Sequence, residues 1–417
     1  MNGVSGDAQG FSAAGLAKIG PAMQQVVDNG YLSGVLTLLW RNGATAHVTT
    51  AGQRDLTSGA PMTPDTLFRI ASMTKPITSV AALMLMEEGK LQLSDPIVRW
   101  APEFARPAVL QTAEGPLDRT RPAARDITIE DLLTHRSGLA YAFTSIGPIA
   151  KAYREILGDP IHGAQTPDAW MRALAGLPLV YEPGERFHYS HATDVLGFIL
   201  GRIEGKPLRE VLRQRIFEPL GMVDTDFYVP PAKHERTAGV YRFDDATAQL
   251  VRVKVPEPAE APEFCSGGGG LASTATDYLK FARMLLGGGE VDGVRLLQPQ
   301  TVASMTTNRL SDAQREIPFL NIPFWSGQGF GLGVSVITDA AKQAWMGVGS
   351  EGAFGWPGAL GTWWRADPRE NMVMLYLVQN STPLGPESAS QLATGQRTAT
   401  AAALPMFQKL AYEALER

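Results

Sequence analysis

Phe68-Arg-Ile-Ala-Ser-Met-Thr-Lys75, followed by Pro76 and the apolar run Ile77–Met86, is the stretch on which the reading of this chain turns. The run is helical in character, and Pro76 falls in the first turn, where amides lack helical partners anyway. Positions three apart on a helix share a face, so Lys75 can set its amine against the Ser72 hydroxyl. A serine hydroxyl is a poor nucleophile until a neighbouring base takes its proton. A lysine serves as that base only where burial or a nearby positive charge brings it well below about 10.4. The tetrapeptide is weak alone: with twenty serines and ten lysines in the chain, chance supplies about half a match. The competing reading makes Ser72 a helix cap and Lys75 a solvated residue.

Outward from this stretch, the two ends of the chain read differently from its middle. Phe11–Asn29 carries apolar residues at helical spacing and ends at Gly30. Gly34–Trp40 and Ala44–Ala51 flank Asn42-Gly43, a dipeptide suited to the positive φ angles of a type I′ hairpin turn, so two antiparallel strands are expected. Residues 72–225 read as helical segments: Thr78–Glu88, Thr128–Thr134, Pro167–Ala175, Thr193–Glu204 and Leu208–Phe217. Strands return at Phe330–Ile337, Gln343–Val348, Leu360–Ala366 and Met372–Val378, before a closing helix at Thr400–Glu416. This order predicts an α/β (α+β) protein: one antiparallel sheet built from both termini and flanked by helices, with an inserted helical domain. Residues 1–71 and 266–417 form the sheet domain, residues 72–265 the mainly helical one, and the active site lies at their junction. Three irregular stretches, Ala101–Asp126, Tyr228–Pro262 and Leu310–Gly329, are long enough to serve as rims or lids.

Composition narrows the functional classes. Of 417 residues 44% are hydrophobic and 19% charged, the balance of a soluble globular chain, and the net charge is −5. Without any run of basic residues, nucleic acid and anionic membranes are not expected partners. A single cysteine, Cys265, rules out an intrachain disulfide framework or a multi-Cys zinc site. Met1–Gly20 shows no basic segment followed by an apolar core, and stretches such as Val35–Trp40 are too short to span a bilayer, which points to the cytoplasm.

Several motifs fail on context. Gly347-Val-Gly-Ser-Glu-Gly352 fits the dinucleotide template by letter but precedes strand-like sequence rather than a helix. Neither a P-loop nor a GxSxG elbow is present, and His234-Glu235 lacks the second histidine of a zincin. His188 and His191, with Glu185 and Asp194 further out, would need one continuous helix to hold a metal, and Pro183-Gly184 argues against it.

The context of Ser72-x-x-Lys75 resembles the serine hydrolases of the class C β-lactamase type, most closely the family VIII carboxylesterases. The matches are Phe68–Lys75, Asp131-Leu-Leu-Thr-His-Arg-Ser-Gly-Leu139, Pro183-Gly-Glu-Arg-Phe-His-Tyr-Ser-His191, Phe217-Glu-Pro-Leu-Gly-Met222, Gly267-Gly-Gly-Gly-Leu-Ala-Ser-Thr274 and Phe354-Gly-Trp-Pro-Gly-Ala-Leu-Gly-Thr362. They follow the family's order across residues 30–380.

The resemblance implies the β-lactamase/D,D-peptidase-like fold, Ser72 as the acylated nucleophile, Lys75 as its partner, and Tyr189 as the phenolic acid/base that shares the proton. It also implies an oxyanion hole from the backbone amides of Ser72 and Ala359. Two positions depart from the pattern. His191 stands where the family has asparagine, and it can still hydrogen-bond a substrate carbonyl or a neighbouring side chain. Trp356-Pro357-Gly358 stands in place of the Lys-Thr-Gly that helps bind a substrate carboxylate in β-lactamases. Tyr141, Phe143, Phe324, Trp325 and Trp356 suggest an apolar substrate pocket, with Gly358 at its edge. The expected activity is hydrolysis of short- to medium-chain carboxylic esters, small molecules, through an acyl-serine intermediate, without metal or cofactor. The alternatives are an acyltransferase on the same scaffold, less readily a β-lactamase or D,D-peptidase, or a non-catalytic ligand-binding member of the fold.

Overall fold

The computed structural model describes residues 9–159, 161, 165–244, 246–258, 260–381 and 395–416. Strand β1 (Gly34–Arg41) and β2 (Ala44–Asp55) form the expected hairpin, with φ of 49° at Asn42 and 96° at Gly43, and β3 (Ala60–Pro61) pairs beyond β2. From the far end of the chain come β4 (Gln328–Phe330), β5 (Ser335–Ile337), β6 (Phe354–Gly355), β7 (Trp363–Asp367) and β8 (Met372–Leu377). Together they make one eight-stranded antiparallel sheet in the order β4-β5-β6-β7-β8-β1-β2-β3. The seam where the two ends of the chain meet is the β1–β8 pair, running from Leu36 opposite Leu377 to Arg41 opposite Met372.

Both faces of this seam are covered, so β1 and β8 read as mainly apolar runs rather than alternating ones, with buried Thr37 of β1 satisfied by His47 of β2. Leu36, Leu38 and Trp40 of β1, with Val373 and Leu375 of β8, face a core shared with the helical body. Val35 and Leu39, with Met372, Met374 and Tyr376, pack instead on helix α1 (Ile19–Asp28) and on Phe407 and Ala411 of the C-terminal helix Gly395–Glu413.

Helix α2 (Thr74–Glu87) is the centre of the helical body. Ile77, Val80, Ala81, Ala82, Leu83 and Leu85 are all fully enclosed, the burial of a helix apolar on every side. Helix α4 (Ala192–Glu204) lies against α2 and α3 (Ile129–Leu133) against α4, while α5 (Ala275–Leu286) packs on β7 and β8 of the sheet. On α5, Tyr278 and Phe281 meet Trp364 of β7 edge-on. Among the described residues no helix is long and apolar enough to cross a membrane.

Local departures from the sequence reading have identifiable causes. The helix expected over Phe11–Asn29 is two, Ala13–Leu16 and α1, with the break at Ala17 and Lys18. Pro21 supplies no amide and its ring crowds the carbonyl of Ala17 four residues earlier. Phe330–Ile337 is two strands, β4 and β5, divided by Gly331–Gly333, where Gly333 has φ of 91°. Gln343–Val348 is not a strand: Asp339 caps a short helix, Ala340–Gln343, by accepting from the Lys342 amide, and the chain then turns. Leu208–Phe217 begins as a helix over Leu208–Leu212 and continues as a wider π turn over Arg213–Phe217. Two of the irregular stretches hold small hairpins, Ala108–Leu110 with Thr120–Pro122 and Tyr241–Asp244 with Gln249–Arg252.

Candidate active site

Ser72 sits on a single 3-10 turn, Ala71–Met73, that runs straight into α2. The turn is strained. Ala71 has φ of 45°, a conformation that costs a residue with a Cβ roughly 1–2 kcal/mol. Its surroundings hold it there. Phe68 and Arg69 pair with Ser273 and Ala272, and the Ile70 amide donates to Leu271 O at 3.0 Å. The Tyr278 hydroxyl donates to Met73 O at 2.9 Å, and Thr362 Oγ1 donates to Ile70 O at 3.2 Å. Ser72 itself is half-buried at the mouth of this clamp.

The segment after β6 approaches the turn as closely as a backbone can. A Cβ at Gly358 would lie 2.3 Å from Ile70 O and 2.2 Å from Thr362 Oγ1, so only glycine fits. The approach brings Ala359 to the same cavity edge as Ala71. Neither the Ser72 nor the Ala359 amide donates to another described residue, which leaves both available to a ligand oxygen.

Lys75, only 1% exposed, points its amine back at the turn. Nζ lies 3.4 Å from Ser72 Oγ, 3.2 Å from the Tyr141 hydroxyl and 2.6 Å from Gly268 O. It also sits 4.5 Å from the centroid of the Tyr189 ring and 5.3 Å from that of Tyr141. The amine therefore meets Tyr189 over the ring face and Tyr141 at the hydroxyl. Burial, the Asp194 charge and the neighbouring Tyr189 push the Tyr141 phenol well above its ordinary range, so it keeps its proton.

The Tyr189 hydroxyl accepts from Trp356 Nε1 at 3.0 Å. An indole N–H can only donate, so it occupies an acceptor site on the phenol oxygen and leaves the hydroxyl proton free to point elsewhere. Trp356 was expected to offer only an apolar face; its N–H is in use, and the side chain is 3% exposed. It belongs to an aromatic cluster with Phe187, Phe330 and Trp325, ring centroids 5.0 Å apart for Phe330–Trp356 and 4.7 Å for Phe187–Trp325.

His135, in the Asp131–Leu139 stretch, was not singled out from sequence. Its ring stands 4.7 Å from that of Tyr189, with Nδ1 3.4 Å from Ser190 Oγ. Burial and the Lys75 charge hold the imidazole well below its usual range, so it packs there as a neutral ring. A φ of 52° at position 135 aims it inward, and nothing in the local sequence signals that angle.

A cavity of about 540 Å³ opens beside Ala71 and Ala359, walled by Phe227, Val229, Phe264, Leu271 and Leu360. Tyr141, Phe143, Trp325 and Trp356, expected as pocket walls, do not line it. Trp325 is 3% exposed inside the aromatic cluster, and Tyr141 is engaged with Lys75. Phe143 stacks on Tyr141 at 4.9 Å and, with Tyr189, borders a second cavity of about 270 Å³. His191 lines neither. Its Nδ1 lies 2.9 Å from Asp194 Oδ2, and its ring is enclosed by Tyr141, Tyr153 and Trp170. Of the two partners expected for His191, a substrate carbonyl or a neighbouring side chain, the structure shows the second, a buried carboxylate three residues along the chain. Among the described residues no group of three or more His, Cys, Asp and Glu is placed to hold a metal ion.

The Beta-lactamase family model matches residues 21–395 of the chain. Esterase EstB of Burkholderia gladioli is 31% identical over 406 residues, covering 91% of this chain and 95% of that protein. Protein Rv1367c of Mycobacterium tuberculosis is 50% identical over 396 residues, 94% of this chain and 98% of its own length. Among solved structures, "EstCE1, a hydrolase with promiscuous acyltransferase activity" superposes with a TM-score of 0.76 at 28% identity, over 94% of this chain and 98% of that one.

Proposed function

Given that the chain belongs to the Beta-lactamase family of serine hydrolases, we propose that it is a carboxylesterase that cleaves short- to medium-chain esters through an acyl-Ser72 intermediate. Ser72 Oγ attacks the ester carbonyl, and its proton passes to the Lys75–Tyr189 pair. The amides of Ser72 and Ala359 receive the developing oxyanion; donors so placed are worth about 2.7–4 kcal/mol each. Tyr189 returns the proton to the leaving alcohol, and water, deprotonated by the same pair, releases the acid.

The observation that carries the ester preference is the Trp356 N–H on the Tyr189 hydroxyl, 3.0 Å away, backed by the aromatic cluster. Where a carboxylate-binding cation would serve an anionic substrate, this chain has an indole. An unpaired buried charge costs several kcal/mol, so an anionic substrate is disfavoured on that side. The site lies where residues 1–71 and 266–417 face residues 72–265, and its partner is a small neutral ester in the cytoplasm, with no cofactor.

Acyl transfer to a second alcohol is the alternative reading. It draws support from the similarity to EstCE1, described as a hydrolase with promiscuous acyltransferase activity. Side-by-side kcat/KM for p-nitrophenyl butyrate, benzylpenicillin and nitrocefin tests the main reading. The ester is expected to lead by orders of magnitude, with slow turnover of nitrocefin at most. Comparable efficiency on benzylpenicillin would replace the esterase reading with a β-lactamase one.

A further inference from the structure

Behind Lys75 lies a carboxylate that takes no part in the proposed proton transfers. Asp194, in the first turn of α4, has no exposed surface. Burying a carboxylate is costly unless its oxygens are satisfied, and here they are. Oδ1 accepts from Ser266 Oγ at 2.6 Å and from the Gly268 amide at 2.9 Å. Oδ2 lies 2.9 Å from His191 Nδ1 and receives a longer contact, 3.5 Å, from the Tyr141 hydroxyl. Burial by itself would raise the carboxyl, but His191, the Lys75 charge and Ser266 outweigh it and hold it below its ordinary range. An acid near a helix N-terminus is often explained by the helix's own amides. Asp194 is aimed instead across the interior at the 266–268 segment.

That direction matters because of what Lys75 touches. Apart from Ser72, the amine donates to Gly268 O at 2.6 Å and to the Tyr141 hydroxyl at 3.2 Å. Both groups are partners of Asp194: it holds the Gly268 peptide by its N–H and the Tyr141 hydroxyl by its proton. The glycine run is shaped to this arrangement. A Cβ at Gly268 would fall 2.9 Å from each Asp194 oxygen and 2.9 Å from the Tyr141 hydroxyl.

We propose that Asp194 is a positioning residue for the acyl-transfer chemistry: a fixed buried anion that, through Tyr141 and the Gly268 peptide, keeps the Lys75 amine aimed at Ser72. This inference rests on the serine-hydrolase reading of Ser72 and Lys75. His191 serves the same end from the other side, as the partner that fixes the carboxylate's orientation.

Asp194→Asn isolates the charge, since Asn Oδ1 can still accept from Gly268 and Ser266. The variant is expected to lose at least tenfold in kcat for p-nitrophenyl butyrate with KM within threefold of wild type; a purely structural role would not confine the loss to kcat. Tyr141→Phe, which keeps the ring stack on Phe143, cuts the same path and is expected to show the same split. The double variant is expected to be no worse than the poorer single by more than threefold, because both act on one amine. A loss below tenfold in Asp194→Asn, or fully multiplicative losses, would overturn the proposal. Should Asp194→Asn fail to fold, the Tyr141→Phe kinetics decide alone, and a loss below tenfold there overturns it. An active wild type with an unaffected Asp194→Asn would sink only this inference; a wild type inactive on esters would sink the reading beneath it.

Discussion

The two flanks of Lys75 are built on opposite principles. On one side Tyr141, Gly268, Ser266, Asp194 and His191 form a buried polar chain in which each link is a directed hydrogen bond. On the other, Tyr189 and Trp356 sit in an aromatic cluster with Phe187 and Phe330, joined by a single hydrogen bond, Trp356 Nε1 to Tyr189. Hydrogen bonds fix direction, and a broken one in a buried charged network costs several kcal/mol. Aromatic pairs fix shape, at about 0.5–1.5 kcal/mol each beyond area burial. The polar flank therefore sets where the amine points, and the aromatic flank sets what can stand beside the phenol. Two tyrosines contact one lysine, yet burial and the Asp194 charge keep Tyr141 a neutral phenol, whereas Tyr189 is met by a donor.

The largest effects are expected where the flanks meet. Lys75→Ala and Tyr189→Phe should each lower kcat/KM for p-nitrophenyl butyrate by about 10²–10⁴-fold, and the double variant by little more than the worse single, since residues that act as a unit give non-additive losses. A double-variant loss equal to the product of the singles would show that lysine and tyrosine act separately, and the flanks would no longer converge on one proton transfer.

A smaller effect separates shape from hydrogen bonding on the aromatic side. Trp356→Phe keeps an aromatic ring in the cluster but removes the N–H to Tyr189. One neutral hydrogen bond is worth about 1 kcal/mol, so kcat should fall by about five- to tenfold with KM nearly unchanged. An unchanged kcat would reduce Trp356 to packing. A loss of a hundredfold or more would make its N–H as important as the polar flank.

How much of this was legible from sequence follows from how far apart the cooperating residues are. The Asn42-Gly43 hairpin, α2 and the closing strands rest on local signals: turn chemistry, apolar runs and caps. Ser72 and Lys75 are three residues apart, and helical geometry alone brings them together. By contrast, the Trp356–Tyr189 bond joins residues 167 apart, and Gly268 meets Asp194 across 74 residues. Neither pairing has a local signature. Trp356 was expected to offer an apolar wall because side-chain type is readable, whereas the direction of its N–H is set by the fold. In the sequence Asp194 stands out only as an outer member of a metal set that Pro183-Gly184 argues against, although its spacing of three from His191 fits a contact within one helical turn. The strand expected at Gln343–Val348 gives way to the cap at Asp339, whose signal is local but lies outside the apolar pattern that suggests the strand.

The central claim is that Ser72, on its strained turn, carries the acyl group. Intact-mass analysis after treatment with an alkyl phosphonate probe, on wild type and Ser72→Ala in parallel, tests it most directly. One stoichiometric adduct that maps to Ser72, formed in step with loss of esterase activity and missing from Ser72→Ala, is the expected result. An adduct on another residue, or Ser72→Ala retaining more than about a tenth of wild-type kcat/KM when nucleophile removal ordinarily costs 10³-fold or more, would contradict it.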